Sequence, residues 1–398
     1  MTAPATGSRP AAETFVSTVP GPGYFPLVAG GVAAPVVVDA GDFPGVVRVA
    51  GDLAADVERV TGVRPRVRID GPPHPDGPPH PGEPPHPGDL VLVGTLGSSP
   101  LVDGLVAAGV LDVSSVAGRW ETSLQQVVTD PLPGVRRALV IAGSDQRGTI
   151  YGVYEVSRQI GVSPWYWWAD VPARPAEELY VLPGRHSQGT PRVRYRGFFV
   201  NDENPALANW VLHRFGPGQA EGHPQGFGSA FYARVFEVML RLRANYLWPA
   251  VWGRAFAEDD PANHATATAY GVVMGTSHEA PMLRGIEEWN RHAVPAVRDA
   301  DGNVVVPGHD PYGGTGEWSH RRNREAVEAF WADGIRRMVD EGIEGVVALG
   351  MRGNGDLSLS DGDGIELMEQ ILTAQRRILA DLVGDETAVP QVWALYKE

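Results

Sequence analysis

Short apolar runs that end abruptly in acidic, amide or indole side chains recur along the C-terminal half of the chain. Residues 196–205 read Arg-Gly-Phe-Phe-Val-Asn-Asp-Glu-Asn-Pro, and residues 245–252 read Asn-Tyr-Leu-Trp-Pro-Ala-Val-Trp. Three further runs, at 271–279, 345–356 and 389–398, follow the same pattern. Such runs are typical of buried parallel strands whose C-terminal ends carry an active site. The pattern therefore predicts strands with chemistry at their ends.

Segments with helical periodicity separate these strands. Because the strands are apolar throughout rather than at every second residue, we expect a parallel sheet covered by helices. The simplest closed arrangement of this kind is a (β/α)8 TIM-type barrel. The predicted helices are 231–243, 261–270, 281–292, 323–341 and 364–382.

The number of strands bears on whether the barrel is complete. An eight-stranded barrel needs about 250 residues, and only about 200 follow residue 190. We therefore expect a barrel that is truncated after about five strands, and a chain that is a fragment of a longer protein. An open five-stranded sheet is the alternative, less favoured because it would leave the edge of the last strand unpaired.

Residues 31–185 predict a separate, mixed α/β domain, which follows a flexible N-terminus over residues 1–30. Within that domain, residues 71–88 repeat one Pro/His-rich hexapeptide three times. Polyproline geometry would space its histidines along an extended rod, so we expect a solvated insertion rather than a metal site. The partial barrel is assigned to residues 190–398. In the N-terminal domain the predicted strands are 36–38, 46–49, 67–69, 90–93 and 138–141, and the predicted helices are 53–61 and 150–160.

Composition narrows the classes of function. The chain has 398 residues, 43% of them hydrophobic, enough for two sizeable cores. Its net charge of -15 and the lack of a long basic run argue against binding nucleic acid or an anionic membrane. The chain has no cysteine, which excludes disulfides and thiolate chemistry. No apolar run has transmembrane length, and residues 1–15 do not resemble a signal peptide, so a cytoplasmic location and a missing secretion signal both stay open.

Acidic and aromatic side chains gather at the predicted strand ends. Glycoside hydrolysis requires one carboxylic acid to protonate the leaving oxygen and one carboxylate to attack or to activate water. Tryptophan rings offer flat faces to sugars. The acids and the histidine at these ends are Asp202, Glu203, His278, Glu279, Asp356 and Glu398, and the tryptophans are Trp248, Trp252 and Trp318.

Structural roles compete with catalytic ones at several of these positions. Asp259 and Asp260 precede Pro261, so one of them is expected to cap a helix. His278 is as well explained by a histidine that is hydrogen-bonded in the core. A metal site from Asp202, His278 and Asp356 has suitable ligand types, but no metal-binding spacing supports it, and no metal or cofactor is predicted.

Six ordered motifs lie at residues 196–203, 244–253, 258–261, 270–282, 350–356 and 396–398. Together they resemble glycoside hydrolase family 115, the xylan α-1,2-glucuronidases. Residues 148–170 also match the N-terminal domain of that family. The resemblance begins at about residue 30 and is interrupted by the 71–88 insertion and by residues 293–316, an added loop.

The resemblance implies the fold and activity of that family. These are an N-terminal α/β domain, a catalytic barrel, a helical region and a C-terminal β domain, in a full-length protein that can form a homodimer. They also include removal of glucuronic acid, or its 4-O-methyl ether, from glucuronoxylan or its oligosaccharides with inversion. Because this chain ends at Glu398, we expect the last parts to be missing and the fragment alone to be inactive.

Roles can be proposed for individual residues. Inversion places the two carboxyl groups about 6.5–9.5 Å apart. We predict Glu398 as the general acid and Asp356 as the general base, since adjacent strand ends give such a separation. Asp202 is the main rival for a catalytic role. The predicted substrate-binding residues are Asn201, Glu203, Trp248, Trp252, His278, Glu279, Arg352, Asn354, Lys397 and Arg147, with Arg352, Lys397 or Arg147 as the partner of the uronate.

Two other functions stay open at this stage. One is a different exo-acting glycosidase built on a hexosaminidase-like plan, which would not need a cation for a uronate, so Arg352 favours the glucuronidase. The other is a non-catalytic fragment that binds carbohydrate.

Overall fold

The computed structural model describes residues 14–69, 88–201, 205–359 and 364–395. The chain divides into two compact units, one of residues 1–194 with 240–243, and one of residues 195–239 with 244–398. Both units combine helices with strands, so the predicted α/β class is confirmed.

The first unit is built around a six-stranded sheet and a smaller four-stranded sheet. Its strands are β1 (Val16–Ser17), β2 (Phe25–Ala29), β3 (Val32–Ala33), β4 (Val36–Val38), β5 (Val67–Arg68), β6 (Asp89–Thr95), β7 (Ser123–Leu132), β8 (Val135–Gly143), β9 (Leu179–Val181) and β10 (Arg185–Gln188). Its helices are α1 (Pro44–Thr61), α2 (Pro100–Ala107) and α3 (Gln146–Gln159).

The larger sheet has the order β10-β7-β8-β6-β4-β5, in which β8, β6, β4 and β5 are parallel and β7 is antiparallel to β8. Every residue of β6 is buried because helices cover both faces of the sheet. Val102 and Leu105 of α2 pack on the face that carries Val140, whereas Gly152 of α3 approaches Ile141 on the opposite face.

One predicted strand of this unit is wrong. Residues 46–49 lie inside α1, not in a strand. Three valines among four residues suggested a strand, but Pro44 at the first position favours a helix start, and the buried residues recur at helical spacing. The helix buries Val46, Val49, Ala50, Leu53, Val57 and Val60 on one side.

The other predicted elements of this unit are present, and their ends shift by at most four residues, except that the helix predicted for residues 53–61 begins nine residues earlier, at Pro44. β7 was not predicted, because its sequence is rich in polar residues and contains Pro131. The flexible N-terminus was drawn too long, since residues 16–17 and 25–29 form β1 and β2, which pair with β9. Residues 1–13 and 70–87 lie outside the described residues, and the second range holds all of the Pro/His-rich insertion except Gly88.

The second unit alternates short parallel strands with helices. Its strands are β11 (Gly197–Phe199), β12 (Tyr246–Trp248), β13 (Val273–Met274), β14 (Val297–Arg298), β15 (Val304–Val306), β16 (Val347–Ala348) and β17 (Gln391–Val392). Its helices are α4 (Ala206–Phe215), α5 (Ser229–Arg241), α6 (Phe256–Asp259), α7 (Ala262–Tyr270), α8 (Ile286–His292), α9 (Arg324–Asp340) and α10 (Gly364–Val383), with a 3-10 turn at Pro281–Leu283.

The five predicted strands of this unit are present and follow one another in space. β11, β12 and β13 pair in parallel, as do β16 and β17. A parallel bridge between Met274 and Gly345 joins the two groups. Since the C-terminal ends of parallel strands lie at one edge, the residues that follow these strands are brought together. Closure into a (β/α)8 barrel stays a prediction.

The helix predicted for residues 281–292 is wrong in its first half. A 3-10 turn is followed by a break at Arg284 and Gly285, and α8 starts only at Ile286. Met282 and Leu283 have φ angles of 58° and 59°, which an α-helix does not allow. This backbone packs closely on α9, where a Cβ added to Gly334 would lie 2.1 Å from the carbonyl oxygen of Met282. Tertiary packing therefore overrides the helical pattern.

The remaining helix predictions of this unit are confirmed to within two residues at each end, and α4 was not predicted. The added loop carries the antiparallel hairpin β14–β15. Among the helices of the described part of the chain, none is both long and apolar enough to cross a membrane.

Candidate active site at the strand ends

Three side chains from two strand ends meet in the second unit. Arg352 and Asp356 follow β16, and His278 follows β13. Nη1 of Arg352 donates to Oδ1 of Asp356 over 3.0 Å, and Nε2 of His278 lies 3.2 Å from the same oxygen. The side chain of Arg352 is 2% exposed, whereas those of His278 and Asp356 are 18% and 16% exposed. The carboxylate of Asp356 is thus held by the buried guanidinium of Arg352 while part of it faces solvent.

The local sequence explains how Asp356 returns to Arg352. The N–H of Gly353 donates to the carbonyl of Leu357 over 2.9 Å and closes a tight turn. Gly355 and Asp356 inside it have φ angles of 79° and 57°. Glycine adopts this left-handed region freely, and aspartate tolerates it better than most residues. A non-glycine residue held there is a form of strain that clusters at functional sites.

Neighbouring elements fix the backbone that carries Arg352. Nε1 of Trp318 donates to the carbonyl oxygen of Arg352 over 2.9 Å, and Nη2 of Arg352 lies 3.5 Å from the carbonyl oxygen of Ala394, just after β17. Two residues upstream, the side chain of Gln375 binds both the N–H and the C=O of Gly350. The loop from residue 350 to 356 is therefore held at its start, middle and end.

The electrostatics of the cluster suit an ionised carboxylate. A guanidinium at hydrogen-bond distance stabilises the charged form of a carboxyl group. His278 can donate to that carboxylate or, when neutral, accept a proton near it. Within the described residues, no group of three or more histidine, aspartate or glutamate side chains could hold a metal ion.

The structure gives the other predicted residues of this unit different settings. Trp248 is half-buried and its Nε1 donates to the hydroxyl of Tyr246 over 2.5 Å. Glu279 is almost fully buried. Asn354 is exposed, and its amide donates to Asn290 over 2.9 Å. Trp252 is half-buried and Asn201 is exposed.

Some predicted site residues cannot be placed in this cluster. Asp202, Glu203, Lys397 and Glu398 lie outside the described residues. The predicted pairing of Glu398 with Asp356 as acid and base therefore stays a prediction. Arg147 belongs to the first unit, where its buried guanidinium donates to Glu121 over 2.6 Å and lies 4.9 Å from the ring of Trp120. This contact indicates a structural role for Arg147 in its own unit.

Asp259 and Asp260 hold backbone together. Asp260 accepts from the N–H of Ser229 over 2.8 Å and from the N–H of Ala262 at the start of α7 over 2.9 Å. Asp259 is fully buried, accepts from Arg291 over 2.7 Å, and has its pKa raised by burial although Arg291 opposes the shift. These contacts favour structural roles for both carboxyl groups.

Sequence reasoning missed two residues that support the cluster. Trp318 was considered only as a face for a sugar ring, yet it binds the backbone of Arg352. Gln375 was not considered at all. A signal for it exists, since Leu367, Ile371 and Leu379 repeat every four residues along α10 and Gln375 is the polar member of that buried row.

Parallel strands that carry carboxylates and aromatic rings at their C-terminal ends are typical of enzymes that act on carbohydrates. The sequence model of glycosyl hydrolase family 115 matches residues 188–398. A family GH115 4-O-methyl-α-glucuronidase, BtGH115A, described as specific for decorated arabinogalactans, is 30% identical with a TM-score of 0.70. The chain belongs to glycosyl hydrolase family 115.

The similarity to BtGH115A covers 92% of this chain and 42% of that one, so the chain spans less than half the length of that structure. A mutant β-hexosaminidase from Streptomyces plicatus is 16% identical, with 94% of this chain and 63% of that chain covered and a TM-score of 0.48. A chitobiase from Flavobacterium johnsoniae is 9% identical, with 96% and 51% covered and a TM-score of 0.45. No curated protein sequence matches the chain.

Proposed function

We propose that the protein removes α-1,2-linked glucuronic acid, or its 4-O-methyl ether, from xylan or xylo-oligosaccharides by an inverting two-carboxylate mechanism. The observation that carries the proposal is Asp356, held by Arg352 and adjacent to His278 at the strand ends of a family 115 chain. An ionised, oriented and partly exposed carboxylate is what a general base requires.

The contacts of Asp356 support the roles proposed for it and for its neighbours. Asp356 is the base that deprotonates the attacking water, and Arg352 keeps it charged and oriented. His278 stands at the edge of this carboxylate, where it can bind a sugar hydroxyl. Glu398 is the proposed general acid. Because Arg352 is engaged by Asp356, Lys397 becomes the preferred partner of the substrate's uronate.

The first test is release of uronic acid by the complete natural gene product. Glucuronoxylan and a decorated arabinogalactan are supplied separately, because the second polymer is the specificity described for BtGH115A. Faster release from glucuronoxylan is expected. Proton NMR of the first product should show the β-anomer, and an α-anomer would contradict inversion.

The second test separates the roles of the carboxyl groups. Asp356→Asn should lower kcat by about 100- to 10,000-fold on polymer and on an activated aryl glucuronide alike, because both need the base. Azide should restore its rate. Glu398→Gln should lose far less kcat on the aryl glucuronide than on the polymer, because the aryl leaving group needs little protonation.

The matched control for the base is Asp301→Asn, an exposed aspartate of the β14–β15 hairpin, which should keep full activity. If Asp202→Asn shows the azide-rescued loss while Asp356→Asn retains substantial activity, Asp202 is the base and the assignment of Asp356 is wrong.

A further inference from the structure

A buried glutamine lies on the apolar face of α10, the helix that follows the loop from residue 350 to 356. Gln375 lies on the apolar side of α10 and is 0% exposed. Its neighbours along that row, Ile371 and Leu379, are buried as well. A buried side-chain amide without partners is costly, so its presence on an apolar face calls for specific hydrogen bonds.

Both ends of the Gln375 amide bind one residue. Oε1 accepts from the N–H of Gly350 over 2.8 Å, and Nε2 donates to the C=O of Gly350 over 2.7 Å. The backbone pairing of β16 with β17 ends where the N–H of Leu349 donates to the carbonyl oxygen of Val392 over 2.9 Å. The side chain of Gln375 therefore extends this pairing by one residue. Gly350 is bound as a residue of a neighbouring strand would bind it.

Gly350 is also confined from its other side. It has a φ of 91°, and a Cβ added to it would lie 2.7 Å from Nε1 of Trp393. The backbone thus passes between the amide of Gln375 and the ring of Trp393 without room for a side chain. Two residues later comes Arg352, and after the tight turn comes Asp356. A rotation of the Gly350 peptide would displace the residues that follow it, Arg352 among them.

We propose that Gln375 is a positioning residue of the active site, whose amide fixes the Gly350 peptide and thereby sets the direction of Arg352 and Asp356. It touches neither substrate nor the reacting atoms. The inference rests on the proposed function, because it concerns how the proposed base is held.

The test uses a carboxyl group that can switch its hydrogen bonds. In Gln375→Glu, the protonated carboxyl can accept from the Gly350 N–H and donate to its C=O, whereas the ionised carboxylate cannot donate and faces the carbonyl oxygen. Gln375→Leu keeps the bulk of the side chain and removes both bonds. Gln370→Glu and Gln370→Leu, on the exposed face of the same helix, are the matched controls.

The measurements are kcat and KM in the complete gene product across pH, each expressed relative to wild type. Gln375→Leu should lower kcat by about 10- to 100-fold with a smaller change in KM, at every pH, since a displacement near 1 Å has that effect on a reacting group. For Gln375→Glu the relative kcat should rise as the pH is lowered. The Gln370 variants should match wild type throughout.

A second readout does not depend on turnover. Amide hydrogen exchange at Gly350 should be faster in Gln375→Leu than in wild type, and should slow again in Gln375→Glu at low pH. Unchanged exchange at Gly350 in Gln375→Leu overturns the proposed clamp. Faster exchange with kcat within twofold of wild type, or a relative kcat of Gln375→Glu that does not vary with pH, overturns the positioning role. A wild-type enzyme that releases no uronic acid overturns the proposed function instead.

Discussion

Acidification should lower the free energy of unfolding of the second unit through one half-buried histidine whose Nδ1 is buried. His264 lies on α7 with its ring edge-on to Phe256 at 4.9 Å, and it lines a cavity of about 30 Å³ together with Arg254 and Glu288. Its Nδ1 has no hydrogen-bond partner among the described residues. Burial, assisted by the positive charge of Arg337 and partly opposed by Glu288, lowers the pKa of His264 to about 4.

The size of the effect follows from the two protonation states. Above pH 6.5 the imidazole is neutral in both the folded and the unfolded chain. Between pH 6.5 and pH 4 the unfolded chain binds a proton that the folded chain excludes, so the free energy of unfolding falls as the pH falls. A pKa lowered from 6.5 to about 4 corresponds to about 3 kcal/mol, lost over that interval and constant below it.

The assay is urea unfolding followed by tryptophan fluorescence at several pH values between 7.5 and 4, for wild type and His264→Gln. Glutamine does not titrate, so the difference in unfolding free energy between the two proteins isolates the histidine from the carboxyl groups that titrate in the same range. His213→Gln, on the exposed surface of α4, is the matched control.

As the pH falls from 6.5 to 4, the free energy of unfolding of His264→Gln should rise by about 3 kcal/mol relative to that of wild type. The free energy of unfolding of His213→Gln should follow that of wild type at every pH. If the difference stays constant across this interval, the histidine is not excluded from protonation in the folded state. The reasoning from its burial would then be refuted.

Two further predictions concern stability. Glu288 is buried between Arg284 at 2.9 Å and Arg337 at 2.8 Å. Glu288→Gln should lower the free energy of unfolding in urea by about 3–5 kcal/mol, because the two guanidinium groups lose the buried carboxylate that they share. An equal cost for Glu287→Gln next to it would argue against that cause. Gly350→Ala should lower Tm far more than Gly355→Ala. Both glycines have a positive φ, but only at Gly350 would the added Cβ meet a side chain, 2.7 Å from Trp393. Equal shifts in Tm would show that this contact is not the cause.

Local sequence patterns determined much of this protein. The five apolar runs of the C-terminal half are parallel strands, and helices such as α9 and α10 begin and end within two residues of their predicted bounds. Hydrophobic periodicity determines such elements because each buries its own apolar face. The change from apolar to polar residues at each strand end also located the region where His278, Arg352 and Asp356 lie. The motifs in these runs also indicated the family without any tertiary information.

Only the tertiary structure decided which patterns would be overridden and which side chains would meet. Residues 46–49 are the opposite case, because Pro44 and the helical spacing of the buried residues are local signals that favoured α1 over a strand. The helix predicted across Arg284 breaks because its backbone packs closely on α9.

The contacts of His278 with Asp356 and of Gln375 with Gly350 join residues 78 and 25 positions apart. Residue types at strand ends predict that such groups are near one another, but not which atom binds which. That choice depends on strand order and on the close packing around Gly350, and neither has a local signature in the sequence.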